Sequence, residues 1–196
     1  MSQPRIYCFL KTFSENQHAQ QFLDGSLYMN SLDYFIQLED GDGSDRGDQH
    51  EAVSCWLQPQ DIDIELNGMK INSADLAAPV FIRYDSQLKK RIFCMHASHV
   101  GGDAPAIFET PEDFEEQLKI PTKNISLGQY SVLITDVKEF LDRVKVAAVQ
   151  KNFSLQAGLV RYYDSGVSHE NFSENTITFR KQSRFSHQRE YRITLD

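Results

Sequence analysis

Arg91-Ile-Phe-Cys-Met-His-Ala97 decides the fold: five of its seven residues are apolar, and a run of that length suits a strand buried on both faces, at the centre of a sheet. Val80-Phe-Ile-Arg-Tyr84 just before it reads as a companion strand, and the two are expected to pair. Upstream, Arg5 to Leu10 alternates as a first strand, and Ser14-Glu-Asn-Gln17 has the spacing of a capping box opening a helix to Asp24, stopped by Gly25. Ser26 to Asn30 reads as a short strand and Ser31 to Leu38 as a short helix with Leu32, Phe35, Ile36 and Leu38 inward. Ala52 to Leu57 is a further strand. Ile62 to Leu66 and Met69 to Ile71 flank Asn67-Gly68, a two-residue hairpin signal.

Downstream, Thr110 caps a helix from Pro111 to Lys119, Tyr130 to Thr135 is a strand, and Asp136 to Gln150 is an amphipathic helix. Gly158 to Tyr163, Thr176 to Phe179 and Arg189 to Thr194 complete the strands. Many strands and few helices, in no regular alternation, predict one α+β domain over residues 1–196 with a twisted, largely antiparallel sheet and a few flanking helices.

Composition narrows the function classes. Hydrophobic residues make up 40% and charged residues 24% of 196, which excludes a disordered or fibrous chain. No apolar run reaches the roughly 18 residues of a membrane span, and Met1-Ser-Gln-Pro-Arg5 has no apolar signal core, so a cytoplasmic protein without a membrane partner is expected. Cys8, Cys55 and Cys94 are odd in number and set among apolar neighbours, as reduced buried thiols are. A formal charge of −8 disfavours duplex nucleic acid. Arg180, Lys181, Arg184, Arg189 and Arg192 still gather enough positive charge to meet a single nucleotide or phosphate.

Two polar clusters carry candidate chemistry. Arg46-Gly-Asp48-Gln-His50-Glu51 places a guanidinium, two carboxylates and an imidazole within six positions, either as a solvated loop pairing its own charges or as a ligand-facing lid. The same stretch resembles a calcium loop counted from Asp40, through Asp42, Ser44 and Glu51, but Asp45 stands where that loop requires Gly. In Gln188-Arg-Glu190, residues two apart share one face of a strand, so an amide and a carboxylate there would hold a sugar's hydroxyls and stabilise positive charge at its anomeric carbon. The alternative is a strand edge with Glu190 paired to an Arg. His96 and His99 lie three apart ahead of Gly101-Gly-Asp103 without a further identifiable ligand, and strand alternation would aim the rings apart, so no metal is expected. Trp56 is read as core.

Tyr7-x-Phe9-x-Lys11, then Phe22-Leu-x-Gly25-x-Leu27-Tyr28-x-Asn30-Ser31-Leu32-x-Tyr34-Phe35, Arg46-Gly47-Asp48-x-x-Glu51 and a terminal Phe185-x-x-Gln188-x-Glu190-Tyr191-Arg192 resemble a group of small uncharacterised bacterial and phage proteins. That arrangement in turn resembles ADP-ribosyltransferases. The resemblance implies NAD as substrate: Lys11 or Arg5 on its diphosphate, Tyr28 and Ser31 in a nicotinamide pocket, Asn30, Tyr34, Arg46, Asp48 and Arg192 completing the binding set, Gln188 orienting the acceptor and Glu190 catalytic. The Ser-Thr-Ser triplet of the arginine-modifying class is missing. The alternative expectation is a non-catalytic protein of phage–bacterium conflict, sequestering a nucleotide-type small molecule through Lys11, Arg46, Arg189 and Arg192 or occluding a protein partner.

Overall fold

The computed structural model describes residues 4–38, 46–101 and 108–196. In chain order the strands are β1 (Arg5–Phe13), β2 (Asn30–Ser31), β3 (Val53–Leu57), β4 (Ile64–Leu66), β5 (Met69–Ile71), β6 (Val80–Arg83), β7 (Arg91–Val100), β8 (Tyr130–Ile134), β9 (Leu155–Leu159), β10 (Arg161–Tyr163), β11 (Glu170–Asn171), β12 (Arg180–Gln182) and β13 (Glu190–Leu195). The helices are α1 (Asn16–Leu23), α2 (Leu32–Gln37), α3 (Asp85–Leu88), α4 (Pro111–Leu118), α5 (Thr122–Ile125) and α6 (Val137–Gln150).

The main sheet runs β8-β1-β7-β13-β9 with β2 added beside β7, and every pairing in it is antiparallel. A second antiparallel sheet, β11-β3-β6, a parallel pair β10-β12 and the β4-β5 hairpin complete the strands. The architecture is therefore α+β with antiparallel sheets and several helices, as composition and order predict.

The central position of β7 follows from its side chains. Phe93, Met95 and Ala97 enter one core cluster with Phe9, Phe22, Met29, Tyr191 and Ile193. Ile92, with Cys94 packed alongside, faces the other cluster, of Leu32, Val53, Trp56, Tyr163, Phe172 and Ile177. A strand with apolar neighbours on both faces cannot afford the polar half of an alternating pattern. The same alternation on β13 sends Tyr191 and Ile193 into the first cluster and leaves Glu190 and Arg192 together on the opposite face.

Several expectations need correction. Arg91–Val100 does not pair with Val80–Arg83; the latter pairs with β3, because the intervening α3 turns the chain out of hairpin geometry. Thr176 to Phe179 is a 3-10 turn, Ile177–Phe179, ahead of β12. Gly158 to Tyr163 splits at Val160 into strands of two different sheets. No side chain caps α1: Glu15 holds the cap position, so the capping box fails there, whereas Thr110 and Asp113 form one reciprocally at α4. The Asn67-Gly68 hairpin forms as read, with φ of 52° and 80° at its two turn residues.

Candidate functional site

A cleft of about 780 Å³ opens over the middle of the main sheet. Its walls come from β1 (Lys11, Phe13), the α1–α2 segment (Tyr28, Asn30, Tyr34), β7 (Phe93, Cys94, His96), α5 (Asn124) and the late chain (Lys181, Gln188, Glu190, Arg192), with Arg46 and Glu51 from the polar loop. Lys11 and Glu190 thus lie in one cleft although they are separated by nearly the whole chain. A smaller pocket of about 320 Å³, between Lys89–Arg91 and Phe153, contains none of the candidate site residues named from the sequence.

The floor is a buried ion cluster. Arg192, fully buried, makes a fork to Glu51 (Nη1 to Oε2 2.7 Å, Nη2 to Oε1 2.5 Å) and donates from Nε to Glu190 Oε1 at 2.5 Å and from Nη1 to the Thr178 carbonyl at 2.8 Å. Lys181 Nζ lies 3.3 Å from Glu190 Oε2, 3.7 Å from Glu51 Oε1 and donates to Gln188 Oε1 at 2.9 Å. Burial by itself would raise the Glu190 carboxyl, but Arg192 first and Lys181 next hold it far below the usual carboxylate range. For Lys181 burial works against the charge, and Glu190 and Glu51 outweigh it, so its ammonium is held on. Two cations thus balance two carboxylates, the condition for keeping four charges out of water. The Cys94 thiol is pushed up by burial and by Glu190, to which it donates. It is a proton donor to the cluster, not a thiolate.

Lys11 differs from these. Its Nζ donates to the Cys94 carbonyl at 2.8 Å and sits 4.6 Å from the Phe93 ring centre, and among the described residues no carboxylate comes within ion-pair distance. Burial lowers its pKa, Cys94 and Glu190 work against that, and Arg46 adds a smaller lowering. A half-buried cation without an ion-pair partner, beside a second cation at the rim, can receive an anionic group. Arg46 is anchored at the rim by Ser14 Oγ (3.2 Å) and the Leu127 carbonyl (2.5 Å). Tyr28 is 80% exposed and Tyr34 46% exposed on the wall, available for stacking. Asn30 lines the cleft from β2, while the Ser31 hydroxyl is used as the cap of α2, accepting from Tyr34 N at 3.3 Å.

Other expected roles are changed. Gln188 does not share a strand face with Glu190: it ends a 3-10 turn (Ser183–Gln188), and Arg189 at φ 43°, ψ 53° swings the chain into β13. Both side chains nevertheless meet Lys181 Nζ, so the left-handed residue does what strand alternation was expected to do. Arg192 is in the site but its donors are spent on Glu51, Glu190 and Thr178, so it orients carboxylates. Asp48 is buried behind Glu51, outside the cleft lining; its Oδ1 accepts from His50 N at 2.9 Å. Burial and Glu51 raise the Asp48 carboxyl to about 6. The carboxylates of Arg46-Gly-Asp48-x-x-Glu51 are therefore inside and not solvated, while Arg46 and Glu51 face the cleft.

The C-terminal basic residues form no open phosphate patch. Arg180 stacks on Phe172 and Arg184 on Phe185, Arg189 donates to the Gln117 and His99 carbonyls, and Lys181 and Arg192 belong to the cluster. Arg5 lies over Tyr7, with no place in the cleft lining. Asp40, Asp42 and Ser44 of the calcium-loop reading lie outside the described residues, as do Gly102 and Asp103, and its twelfth position, Glu51, is bound to Arg192. Among the described residues no group of three or more potential metal ligands assembles, and no helix is long and apolar enough to cross a membrane.

The sequence offers Glu51 and Lys181 only as members of their clusters and His96 only as a discounted metal ligand, and gives Cys94 and Asn124 no role in a site. Glu51 and Lys181 stood inside motifs already singled out, and a buried arginine on β13 requires such a partner. Asn124 sits on a one-turn helix with no periodicity to reveal it. Comparison with protein-family models, with curated proteins and with solved structures gave no match.

Proposed function

We propose that the cleft binds NAD and that the chain is an ADP-ribosyltransferase-like enzyme, in fold as in chemistry. The observation that carries this reading is the convergence of Lys11 from the first strand, Tyr28, Asn30 and Tyr34 from the segment after it, and Glu190 from the last strand on one cleft. Lys11 and Arg46 supply the positive charge a diphosphate needs, and exposed tyrosines supply stacking surface. Glu190 accepts from Arg192, Lys181 and the Cys94 thiol, which leaves its two oxygens one further acceptor position for a ribose hydroxyl. In the reaction the bond from the ribose anomeric carbon to nicotinamide breaks, its electron pair leaving with neutral nicotinamide. Glu190 stabilises the oxocarbenium-like centre, and an acceptor nucleophile adds and gives up its proton to solvent. A reducing, cytoplasmic setting fits the three unpaired thiols.

A second reading, nucleotide binding without bond breaking, is favoured by one observation. Arg192 Nε at 2.5 Å and Lys181 Nζ at 3.3 Å already neutralise the charge Glu190 would direct at the oxocarbenium centre. Incubation with NAD separates the readings when nicotinamide release and thermal stabilisation are followed together, for the native chain and for Glu190→Gln. Release that is lost in the variant supports transfer or hydrolysis. Stabilisation by unchanged NAD supports the binding protein, and neither effect removes NAD.

A further inference from the structure

Among the described residues β9 is the outermost strand of the main sheet, paired with β13 alone. The register tells which of its backbone groups are left over. Asp196 N donates to the Ser154 carbonyl at 3.0 Å and Ser154 N to the Asp196 main-chain oxygen at 3.3 Å, while Val160 N donates to the Glu190 carbonyl at 2.8 Å. In an antiparallel ladder, hydrogen-bonded pairs alternate with non-bonded ones. Gln156 and Gly158 therefore turn their N–H and C=O groups toward Thr194 and Arg192, and Leu155, Ala157 and Leu159 turn theirs outward. Among the described residues no strand, turn or loop pairs with those outward groups. Leu155-Gln-Ala-Gly-Leu159 also lacks the features that close an edge to other chains: it has no charge, no proline and no bulge.

The edge begins at the smaller pocket. Phe153, 46% exposed, stands two residues ahead of β9 and with Leu195 forms the apolar wall; Ser86, Lys89, Lys90, Arg91 and Asp196 form the rest. Lys90 Nζ is paired with Asp196 Oδ2 at 3.5 Å. Arg91 reaches only the Met29 carbonyl, at 3.4 Å, and among the described residues no carboxylate lies within ion-pair distance of Lys89 or Arg91. Three consecutive cations, two of them unpaired, in a chain of net charge −8 make this end of the sheet attractive to an acidic partner. A strand added antiparallel to β9 runs from the Leu159 end to the Leu155 end, so the residues that follow it arrive at Phe153 and the cations.

We infer that the β9 edge receives an extended acidic peptide of a partner protein. Its backbone pairs with Leu155, Ala157 and Leu159, and acidic residues at its C-terminal end enter the pocket between Phe153 and Lys89–Arg91. Main-chain hydrogen bonds hold such a peptide, and the pocket selects it. The surface shares no lining residue with the cleft, so the inference stands apart from the NAD reading.

The test titrates the whole chain with a short acetylated peptide that alternates Thr and Val and closes in Glu-Glu-Glu, and with a twin closing in Lys-Lys-Lys, followed by backbone amide NMR. The expected result is binding of the Glu peptide about tenfold more tightly than its twin, with the largest shifts at the Leu155, Ala157 and Leu159 amides. Lys89→Glu with Arg91→Glu inverts the preference, which a merely structural role of these side chains would not do. Ala157→Pro removes an outward N–H without touching the bonds to β13, and is expected to weaken the Glu peptide about tenfold with the melting temperature kept. No binding of the Glu peptide, equal binding of the two peptides, or unchanged binding by a folded proline variant overturns the inference. Self-association of the native chain that Ala157→Pro abolishes and the Glu peptide does not displace assigns the edge to a second copy and overturns it too. If the proline variant fails to fold, the charge-reversed pair decides.

Discussion

At the scale of single residues, the site is governed by which buried charges have partners. Arg192 has three, whereas Asp48 has one backbone donor on Oδ1 and none on Oδ2. Glu51 lies next to Asp48, and the cations near it, Lys181 and Arg184, lower its pKa only partly; Arg184 Nη2 is 3.8 Å from Oδ1. Its folded pKa, about 6, lies above the ordinary value of 3.8. A raised carboxyl favours the native state while protonated: that contribution is complete below the unfolded value and is lost as pH rises through about 6. Asp48→Asn removes the charge and keeps the acceptor for His50 N. The variant is expected to exceed the native chain in stability by about 1–3 kcal/mol at pH 8 and to match it near pH 4. Denaturant melts at the two pH values check this; equal stability at pH 8 would mean that the carboxylate is solvated.

At the scale of elements, the strands were legible where packing on two faces imposes a long apolar run, as in β7, or where a turn residue marks the register, as in Asn67-Gly68. They were misread where partner choice depends on distant segments: β6 has the same local pattern whether it pairs with β7 or β3. The candidate site was legible in part for a similar reason. Lys11 and Glu190 stand in recognisable motifs, but the meeting of Gln188 with Glu190 depends on a left-handed Arg189 that nothing in its side chain demands. The β1–β8 edge gives a test at this scale. A Cβ on Gly128 would lie 2.5 Å from the Phe13 carbonyl oxygen and 2.8 Å from its nitrogen, both backbone atoms that cannot turn aside. Phe13 is paired with Tyr130, and Leu127 beside the glycine holds Arg46. Gly128→Ala is expected to cost about 1–3 kcal/mol by displacing β8 from β1 and to weaken ligand binding through Arg46. Melting temperature and NAD titration read the two effects; an unchanged melting temperature would show that the edge slides freely.

At the scale of the whole molecule, the ion cluster joins separate pieces of the fold. Glu51 stands two residues before β3 of the three-stranded sheet, Lys181 is on β12 of the parallel pair, and Glu190 and Arg192 are on β13 of the main sheet. The hydrophobic contacts between these layers, such as Ile92 and Cys94 with Val53, Trp56 and Ile177, hold them by area alone. The Arg192 fork to Glu51 also fixes their relative position, because both hydrogen bonds demand one geometry. Arg192→Met keeps the volume of the side chain but leaves Glu51 and Glu190 buried without the guanidinium, with only Lys181 to balance them. The expected cost is about 3–5 kcal/mol, the range for removing one partner of a buried pair. If the cluster is what couples the layers, the loss will be uneven. The native chain is expected to unfold in one calorimetric transition, and the variant to show a van't Hoff enthalpy below the calorimetric one as the three-stranded sheet separates first. Amide exchange in β3 and β6 then rises ahead of exchange in β7. A lower melting temperature with the two enthalpies still equal would assign the coupling to the apolar contacts and leave the cluster the electrostatic role alone, holding Glu190 ionised at the floor of the cleft.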